Sequence, residues 1–477
     1  MNLSIAMSVA PLLAAFISLG SRNALFTRAV VPSLFFLQIG LIAYICIPVL
    51  NGTATDLIFS EDFSIDRIGA YFLLLTNFVV ACAMSHAFAF FERESALGRL
   101  DDPNHERIFY ASTALFLLAM SFVFICDNLG FLWVSIEATT LFSAALVYFS
   151  RDKHALEATW KYLIVCSVGI AFALLGTVLI FASSQHGAVP DGSLNIRVLI
   201  AHANMLQPKL LQLGYIFCLL GYGTKAGVAP LHSWLPDAHS EAPAPASAML
   251  SGALLNCALY AIWRVTELMN LTPHHTLSTS LPIIWGAITA LVASLVLVHQ
   301  SGIKRLWAYS SIENVGIMLV AIGMSSPLLF FLQALNHSVA KVCLFLISGN
   351  IIQTTGTKEL AHIHGVLKTS PVWGILFAIA ALAVTGAPPF GAFICEWMIL
   401  SKGADAHSWI AVIMLIIALT LSFIAVSVHV GKILLGTPKQ SMIAPRSFGT
   451  SFIPFVLCVC ALLLGVTFVP SLLVNPL

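Results

Sequence analysis

Apolar runs of membrane-spanning length recur from one end of this sequence to the other. A bilayer core takes about 20 apolar residues per helix, and by that measure the chain holds about 14 segments, centred near residues 11, 40, 80, 116, 139, 170, 219, 255, 290, 318, 338, 385, 418 and 460. Lipid offers no partners to backbone N–H and C=O groups, so such segments cross as helices. The expected fold is all-α, a single polytopic membrane domain over residues 1–477. Composition agrees: 59% of the residues are hydrophobic and 9% are charged, against about 25% charged in soluble domains. The opening run MNLSIAMSVAPLLAAFISLGSR has no basic residue before Arg22, which reads as a retained first span rather than a cleaved signal.

Several function classes fall away at once. The formal net charge is +1, so there is no basic field to bind nucleic acid. The ten cysteines stand singly in apolar runs, apart from Cys458 and Cys460, and no CxxC is present, so iron–sulfur and zinc sites are unsupported. No Walker loop and no GxGxxG after a strand grips a nucleotide. The chain is expected to carry no cofactor and no metal, and any electron transfer belongs to partners.

An even number of spans puts both termini on one side. The odd-numbered loops hold Arg22, Arg28, Arg93, Arg99, Arg107, Arg151, Lys153, Lys161, Lys304, Arg305, Lys358, Lys368, Lys432, Lys439 and Arg446, the even-numbered ones only Arg67, Arg197, Lys209, Arg264 and Lys402. The positive-inside rule places the odd loops in the cytoplasm and both termini outside. Lys225 and Lys341 are left over, far from any end where they could easily snorkel.

A charge at the bilayer centre costs about 2.5–3.5 kcal/mol on insertion scales, so such residues line hydrated paths or pair with each other. The candidates are Glu137 in FLWVSIEATTL, Lys225 in GYGTKAGVAPLHSWLPDAHSEAP, Glu313 in AYSSIENVGI, Lys341 in ALNHSVAKVCLFL and Glu396 in FGAFICEWMIL. A buried lysine has its proton affinity lowered by desolvation and raised by a nearby carboxylate, so one ion pair made or broken can load or release a proton. His337 and Lys341 lie four residues apart, on one helical face, where an imidazole beside an amine can relay a proton. The helix of Lys225 is interrupted at Pro230 and Pro236. The segment before Glu396 is interrupted by TGAPPFG, with Pro388 and Pro389. Paired interruptions in two halves point to inverted repeats with a site at midplane, and the spacing suggests units of about five helices.

Other polar residues carry two readings each. Lys161 and Glu157 form either part of a proton path or an ordinary i,i+4 pair. Glu313 is either a pathway acid or a structural partner of Lys304 and Arg305. Asp237, His239 and Glu241, with His232, are either a proton-entry funnel or helix-capping loop residues. His274, His275, His362 and His364 read as loop residues. The N-x-S/T matches carry no weight.

The block TKAGVAPLHSWLPDAHSEAPAPASAMLSGALLNCALYAIWR resembles the signature of the proton-conducting, antiporter-like subunits shared by respiratory complex I, Mrp-type sodium/proton antiporters and group 4 membrane-bound hydrogenases. EATTLFSAALV, EATWKYLIVCSVGIAFALLG, GIKRLWAYSSIENVGIML, NHSVAKVCLFLISGNI and TGAPPFGAFICEWMIL match as well, so the resemblance runs from about Tyr110 to Trp397. WKYLIVCSVGIAFALLG, the DAHSEAP loop and AYSSIENVG are most similar to hydrogenase-type members, such as component F of hydrogenase-4 and its formate hydrogenlyase relatives. The resemblance implies 14 transmembrane helices: three at residues 1–100, inverted five-helix repeats at 107–270 and 281–432 with the seventh and twelfth helices broken, and a last helix at 449–477. It implies an input pair of Glu137 and Lys225, a central relay of His337 and Lys341, and an exit-side acid at Glu396, where some relatives have lysine. Lys161, His232, Asp237, His239, Glu241 and Glu313 are further pathway candidates. Larger relatives carry a lateral C-terminal helix, whereas this sequence ends at Leu477 after its last span, so no such clamp is expected.

The implied role is proton translocation in a bacterial cytoplasmic membrane, without enzymatic activity of its own. The implied partners are other membrane subunits and, through them, a hydrophilic redox module; nucleic acid and nucleotide are not among them. An Mrp-like antiporter subunit and a membrane partner of an inorganic-carbon accumulation complex are the alternatives.

Overall fold

The computed structural model describes residues 3–21, 23–53, 57–58, 60–100, 102–186, 192–273, 275–438 and 449–468. Arg22, His274, Lys439, Arg446 and the end of the last expected helix, 469–477, lie outside them. In chain order the helices are α1 (Leu3–Gly20), α2 (Ala24–Leu50), α3 (Arg67–Ala96), α4 (Pro103–Ile125), α5 (Leu129–Val147), α6 (Lys153–Gln185), α7 (Ile196–Ala201), α8 (Pro208–Ala226), α9 (Trp234–Glu241) and α10 (Ala244–Met249). A π turn joins α10 to α11 (Leu255–Asn270); then follow α12 (Thr276–Leu297), α13 (Ile303–Gly323), α14 (Pro327–Thr355), α15 (Val366–Thr369), α16 (Pro371–Val384), α17 (Gly391–Asp405), α18 (Trp409–Leu434) and α19 (Gly449–Leu463). Two two-residue strands, β1 (Leu57–Ile58) and β2 (Ser64–Ile65), pair antiparallel in the loop between α2 and α3.

Among the described residues, eleven helices are long and apolar enough to cross a membrane, and Met7–Gly20 and Pro371–Val384 are shorter apolar helices. All-α polytopic architecture is therefore what the apolar runs produce. Local sequence sets the helix starts: Asp66, Asn128 and Asp152 each turn a side-chain oxygen onto a backbone N–H of the first turn, of Gly69, Gly130 and Ala155, meeting donors that have no intrahelical partner.

The helices sort into a centre and a periphery. The most apolar windows of Ala244–Asn270, α13 and α14 are 100%, 94% and 89% buried, whereas those of α2, α6, α18 and α19 are at most 39% buried. The central helices therefore meet protein on all sides, and any charge they carry needs a protein partner or an internal water path.

Two breaks fall where the prolines lead one to expect them. The α8 helix ends at Gly227, whose φ of +83° suits glycine, and the chain turns through Pro230 into α9. Backbone groups freed there are met from α12: Trp285 Nε1 donates to Ala229 O at 2.5 Å, and Thr289 Oγ1 accepts from Ala229 N at 3.2 Å. Such partners are what irregular backbone requires inside a membrane. Pro236, expected to interrupt the helix as well, is instead the third residue of α9, where the missing N–H costs nothing. The second break separates α16 from α17 and holds Gly386 (φ +64°), Pro388 and Pro389.

Glycine also sets how closely α6 and α8 cross. A Cβ on Gly221 would lie 2.5 Å from Gly169 O, and one on Gly176 would lie 2.6 Å from Gly214 O. Small residues let the two backbones touch, which brings the end of α8 against α6 one turn before Lys225.

Candidate functional site

Lys225 occupies the last turn of α8 and is 1% exposed. The helix end beside it is an internal one, at the break expected near Pro230. Its amine donates to Thr140 Oγ1 at 2.8 Å and to Tyr162 OH at 2.7 Å, and lies 4.8 Å from the Tyr162 ring centroid. The cation rests at the negative end of the α8 dipole. Trp234 of α9 packs against Tyr162 with ring centroids 4.8 Å apart and planes tilted by 37°, and donates to Thr224 O at 2.9 Å.

Glu137 on α5 accepts from Ser167 at 3.1 Å and from Thr140 at 3.3 Å. The expected Glu137–Lys225 contact is therefore not direct: Thr140, three residues on and so on the same helical face, stands between acid and amine.

A second group lies on α13 and α14. Lys341 is fully buried and donates to Trp307 O at 2.9 Å, with the Trp307 ring centroid 5.7 Å away. His337 shares its face, and among the described residues neither ring nitrogen has a hydrogen-bond partner. The same holds for His239 of α9, stacked on Phe345 at 4.9 Å and close enough to Lys304, Lys341 and His337 to interact electrostatically. His239 is thus an interior residue and not a loop cap. One turn before His337, Gln333 donates to Asn314 Oδ1 at 3.0 Å and to Glu396 Oε1 at 3.5 Å. Glu313 accepts from Ser422 at 2.6 Å and lies within electrostatic reach of Lys341.

Glu396 of α17 is 6% exposed. It lies at the base of a groove of about 300 Å³ lined by Thr385, Gly386, Trp397, Thr420 and Phe423 among others. A Cβ at Gly386 would collide with Glu396 Oε2, so the glycine both makes the turn and leaves room for the acid.

The structural pairs read from sequence are reassigned. Lys161 pairs with Asp237 at 2.5 Å rather than with Glu157, and Arg305 binds the other oxygen of the same carboxylate. Lys304 donates to Ala242 O at 2.5 Å, so neither it nor Arg305 holds Glu313. Glu241 pairs with Lys358 at 2.8 Å. Asp237 and Glu241 are therefore anchors of α9, which i,i+4 reasoning within one helix cannot reveal. His232 lies in the turn between α8 and α9, edge-on to Tyr309 at 6.0 Å. His275 precedes α12, His362 pairs with Glu359 at 3.2 Å, and His364 bonds the carbonyls of Ala361 and Lys432 at 3.0 Å. No group of three or more metal-ligating side chains occurs among the described residues.

Thr140, Tyr162, Gln333 and Ser422 were not singled out by the sequence. Gln333 and Thr140 carried a signal, since each lies a helical turn from a residue that was; Tyr162 and Ser422 carried none beyond being polar in apolar runs.

Buried ionisable groups on central helices, flanking two internal helix breaks, define a class of multi-pass membrane protein built to hold charge inside the bilayer. The chain belongs to the family described as NADH:quinone oxidoreductase/Mrp antiporter, TM, which matches residues 126–424. It is 37% identical over 403 residues, 82% of this chain and 84% of the other, to a hydrogenase-4 component F homolog of Methylacidiphilum infernorum (isolate V4). In fold it is similar to a chain of the membrane-bound sulfane sulfur reductase, an archaeal respiratory membrane complex (TM-score 0.88, 22% identity, 99% and 96% of the two chains covered). It is similar also to a chain of the Mrp complex from Dietzia sp. DQ12-45-1b (TM-score 0.83, 18% identity, 99% and 96% covered).

Proposed function

We propose that this chain is the proton-translocating membrane subunit of an energy-converting oxidoreductase complex, of membrane-bound hydrogenase type. The carrying observation is a succession of polar groups through an otherwise apolar interior: half-buried Glu137, then buried Thr140, Lys225, Lys341, His337, Gln333 and Glu396. The unpaired ring nitrogens of His337 and His239 support it, because buried polar atoms of this kind bond to ordered water, a carrier of protons. The relative named hydrogenase-4 component F homolog supports the hydrogenase assignment over other members of the family.

In this reading Glu137 and Lys225 are the input, Lys341 with His337 the relay and Glu396 the exit. Fourteen spans, with the two breaks inside the seventh and twelfth, form repeats at 107–270 and 281–432 that follow three helices at 1–100 and precede a last one at 449–477. Both termini face outward. The chain performs no redox chemistry and works through neighbouring membrane subunits and a hydrophilic redox module.

The test is Lys225→Ala in the intact complex: loss of proton uptake by inverted vesicles at retained electron transfer is expected, and unchanged proton uptake per electron refutes the proposal. The fold similarity to a chain of the Mrp complex supports a second reading, a sodium/proton antiporter subunit. It requires sodium-dependent proton flux in vesicles that hold no redox module.

A further inference from the structure

The polar side chains that line the groove at Glu396 accept hydrogen bonds and hardly donate any. Glu396 itself receives one bond among the described residues, from Gln333 to Oε1 at 3.5 Å, and its Oε2 lies against Gly386, which lines the groove. A carboxylate has room for about four such bonds. The two hydroxyls of the lining direct their protons to their own helices: Thr385 Oγ1 donates to Ala381 O at 3.0 Å and Thr420 Oγ1 to Ile416 O at 2.8 Å. Lone pairs are what each can still offer. The Trp397 indole is the one side-chain donor among the described lining residues, and no lysine, arginine or histidine is among them. The nearest ionisable group acting on Glu396 is a second acid, Glu313. The rest of the wall is apolar, and Phe393, Trp397, Phe423 and Ile424 are exposed. Glu396 stands nine residues before the end of α17 and Thr420 eleven after the start of α18, about 14 and 17 Å along their helices. In a bilayer core about 30 Å thick the groove therefore opens on hydrocarbon, and whatever enters it arrives through lipid.

We propose that this groove binds lipophilic amines: small, membrane-soluble molecules with an aryl or alkyl body and one basic nitrogen. Such a molecule crosses hydrocarbon as the free base. At Glu396 its nitrogen takes the carboxyl proton or shares it, so the acid gains a charge-assisted partner while no net charge enters the membrane. Thr385 and Thr420 present acceptors to the same nitrogen, and the faces of the Trp397 and Phe423 rings attract a cation beside them. An anion is refused by the two acids, and a plain hydrocarbon leaves the carboxyl without a partner. A volume of about 300 Å³ is at the small end of ligand sites, which limits the body to a compact one. Where Glu396 is the exit acid, an occupied groove withholds it from protons, but the binding itself does not depend on that reading.

Labelling of Glu396 by a lipid-soluble carbodiimide, in membranes carrying the intact complex and read by peptide mapping, tests the site. The probe is dimethyl(phenylbutyl)amine, a tertiary amine that cannot be coupled to an activated carboxyl. At about ten times its half-protecting concentration it is expected to lower the labelling about tenfold. Butylbenzene, the same body without nitrogen, should leave the labelling unchanged. Phe423→Ala removes a ring from the wall and Thr420→Val removes an acceptor, and each should raise the half-protecting concentration about three- to tenfold. Both residues are on the exposed side of α18, so the complex should assemble with either substitution. Equal protection by butylbenzene overturns the proposal, since the groove is then an apolar crevice only. Protection that neither substitution weakens overturns it too, because the amine then acts elsewhere. Glu396 left unlabelled in the absence of any amine shows the groove covered in the complex and overturns it as well. None of these results bears on the chain as a proton carrier, which Lys225→Ala decides.

Discussion

Replacing Gly221 by alanine perturbs Lys225 without touching it. The added methyl would lie 2.5 Å from Gly169 O and 2.6 Å from Ala173 Cβ, and closer still to Ala173 N, whereas ordinary contacts begin near 3.4 Å. Two of those obstacles are backbone atoms, so α6 and α8 must part by about 1 Å, and trimming Ala173 to glycine cannot relieve the clash. Overpacking of this kind costs about 1–3 kcal/mol, which outweighs the roughly 1 kcal/mol that alanine gains over glycine in a helix. Lys225, one turn on, shifts with α8 while Tyr162 stays on α6, stretching a 2.7 Å bond. Misplacement by 1 Å lowers rates by about 10²-fold, so proton uptake per assembled complex should fall between about tenfold and a hundredfold. The assay is proton uptake by inverted vesicles, with thermal stability of the purified complex read in parallel. Gly431→Ala is the control, because a Cβ there meets nothing within 4 Å. Gly221→Ala behaving like Gly431→Ala in both measurements refutes the reasoning.

Three further outcomes are expected. Lys341→Met removes the donor to Trp307 O while keeping an unbranched side chain of similar length, so the complex should assemble as wild type, judged by copurifying subunits, and lose proton uptake. Glu396 should react with a lipid-soluble carbodiimide through its groove while Glu313, buried on α13 and bonded to Ser422 of α18, does not, as read by peptide mapping; labelling of both acids equally would contradict the groove as the access route. Asp237→Asn breaks two ion pairs whose members are 21–39% exposed, each worth about 0.2–1 kcal/mol at such exposure. The resulting loss of thermal stability should be small and should shrink in high salt.

The sequence announced the fold and the charged residues because both are local signals. A run of 20 apolar residues reads as a helix wherever it occurs, and a lysine inside one has to be explained on its own, as Lys225 and Lys341 show. Gly227 and Pro230, or Gly386 and Pro388, mark helix breaks by backbone chemistry alone. Contacts between helices were out of reach. Lys161 and Asp237 are separated by 76 residues and Arg305 and Asp237 by 68, so the nearer Glu157 and Glu313 looked like the natural partners. The input pair suffered from the same limit. Glu137 and Lys225 were expected to form a pair, but only the tertiary packing shows Thr140 between them. Tyr162 was invisible as a partner because a tyrosine in an apolar helix is ordinarily packing.

The short helix α9 is a common wall for the Lys225 and Lys341 sites. Its first residue, Trp234, leans on Tyr162 and the end of α8; its sixth, His239, rests on Phe345 beside Lys341. Eight residues of helix are about 12 Å long, too short to flex between those points. Asp237, between those two ends, is held by cations from α6 and α13. Two sites that electrostatics alone would join only weakly across that distance are thus set on opposite ends of one rigid beam.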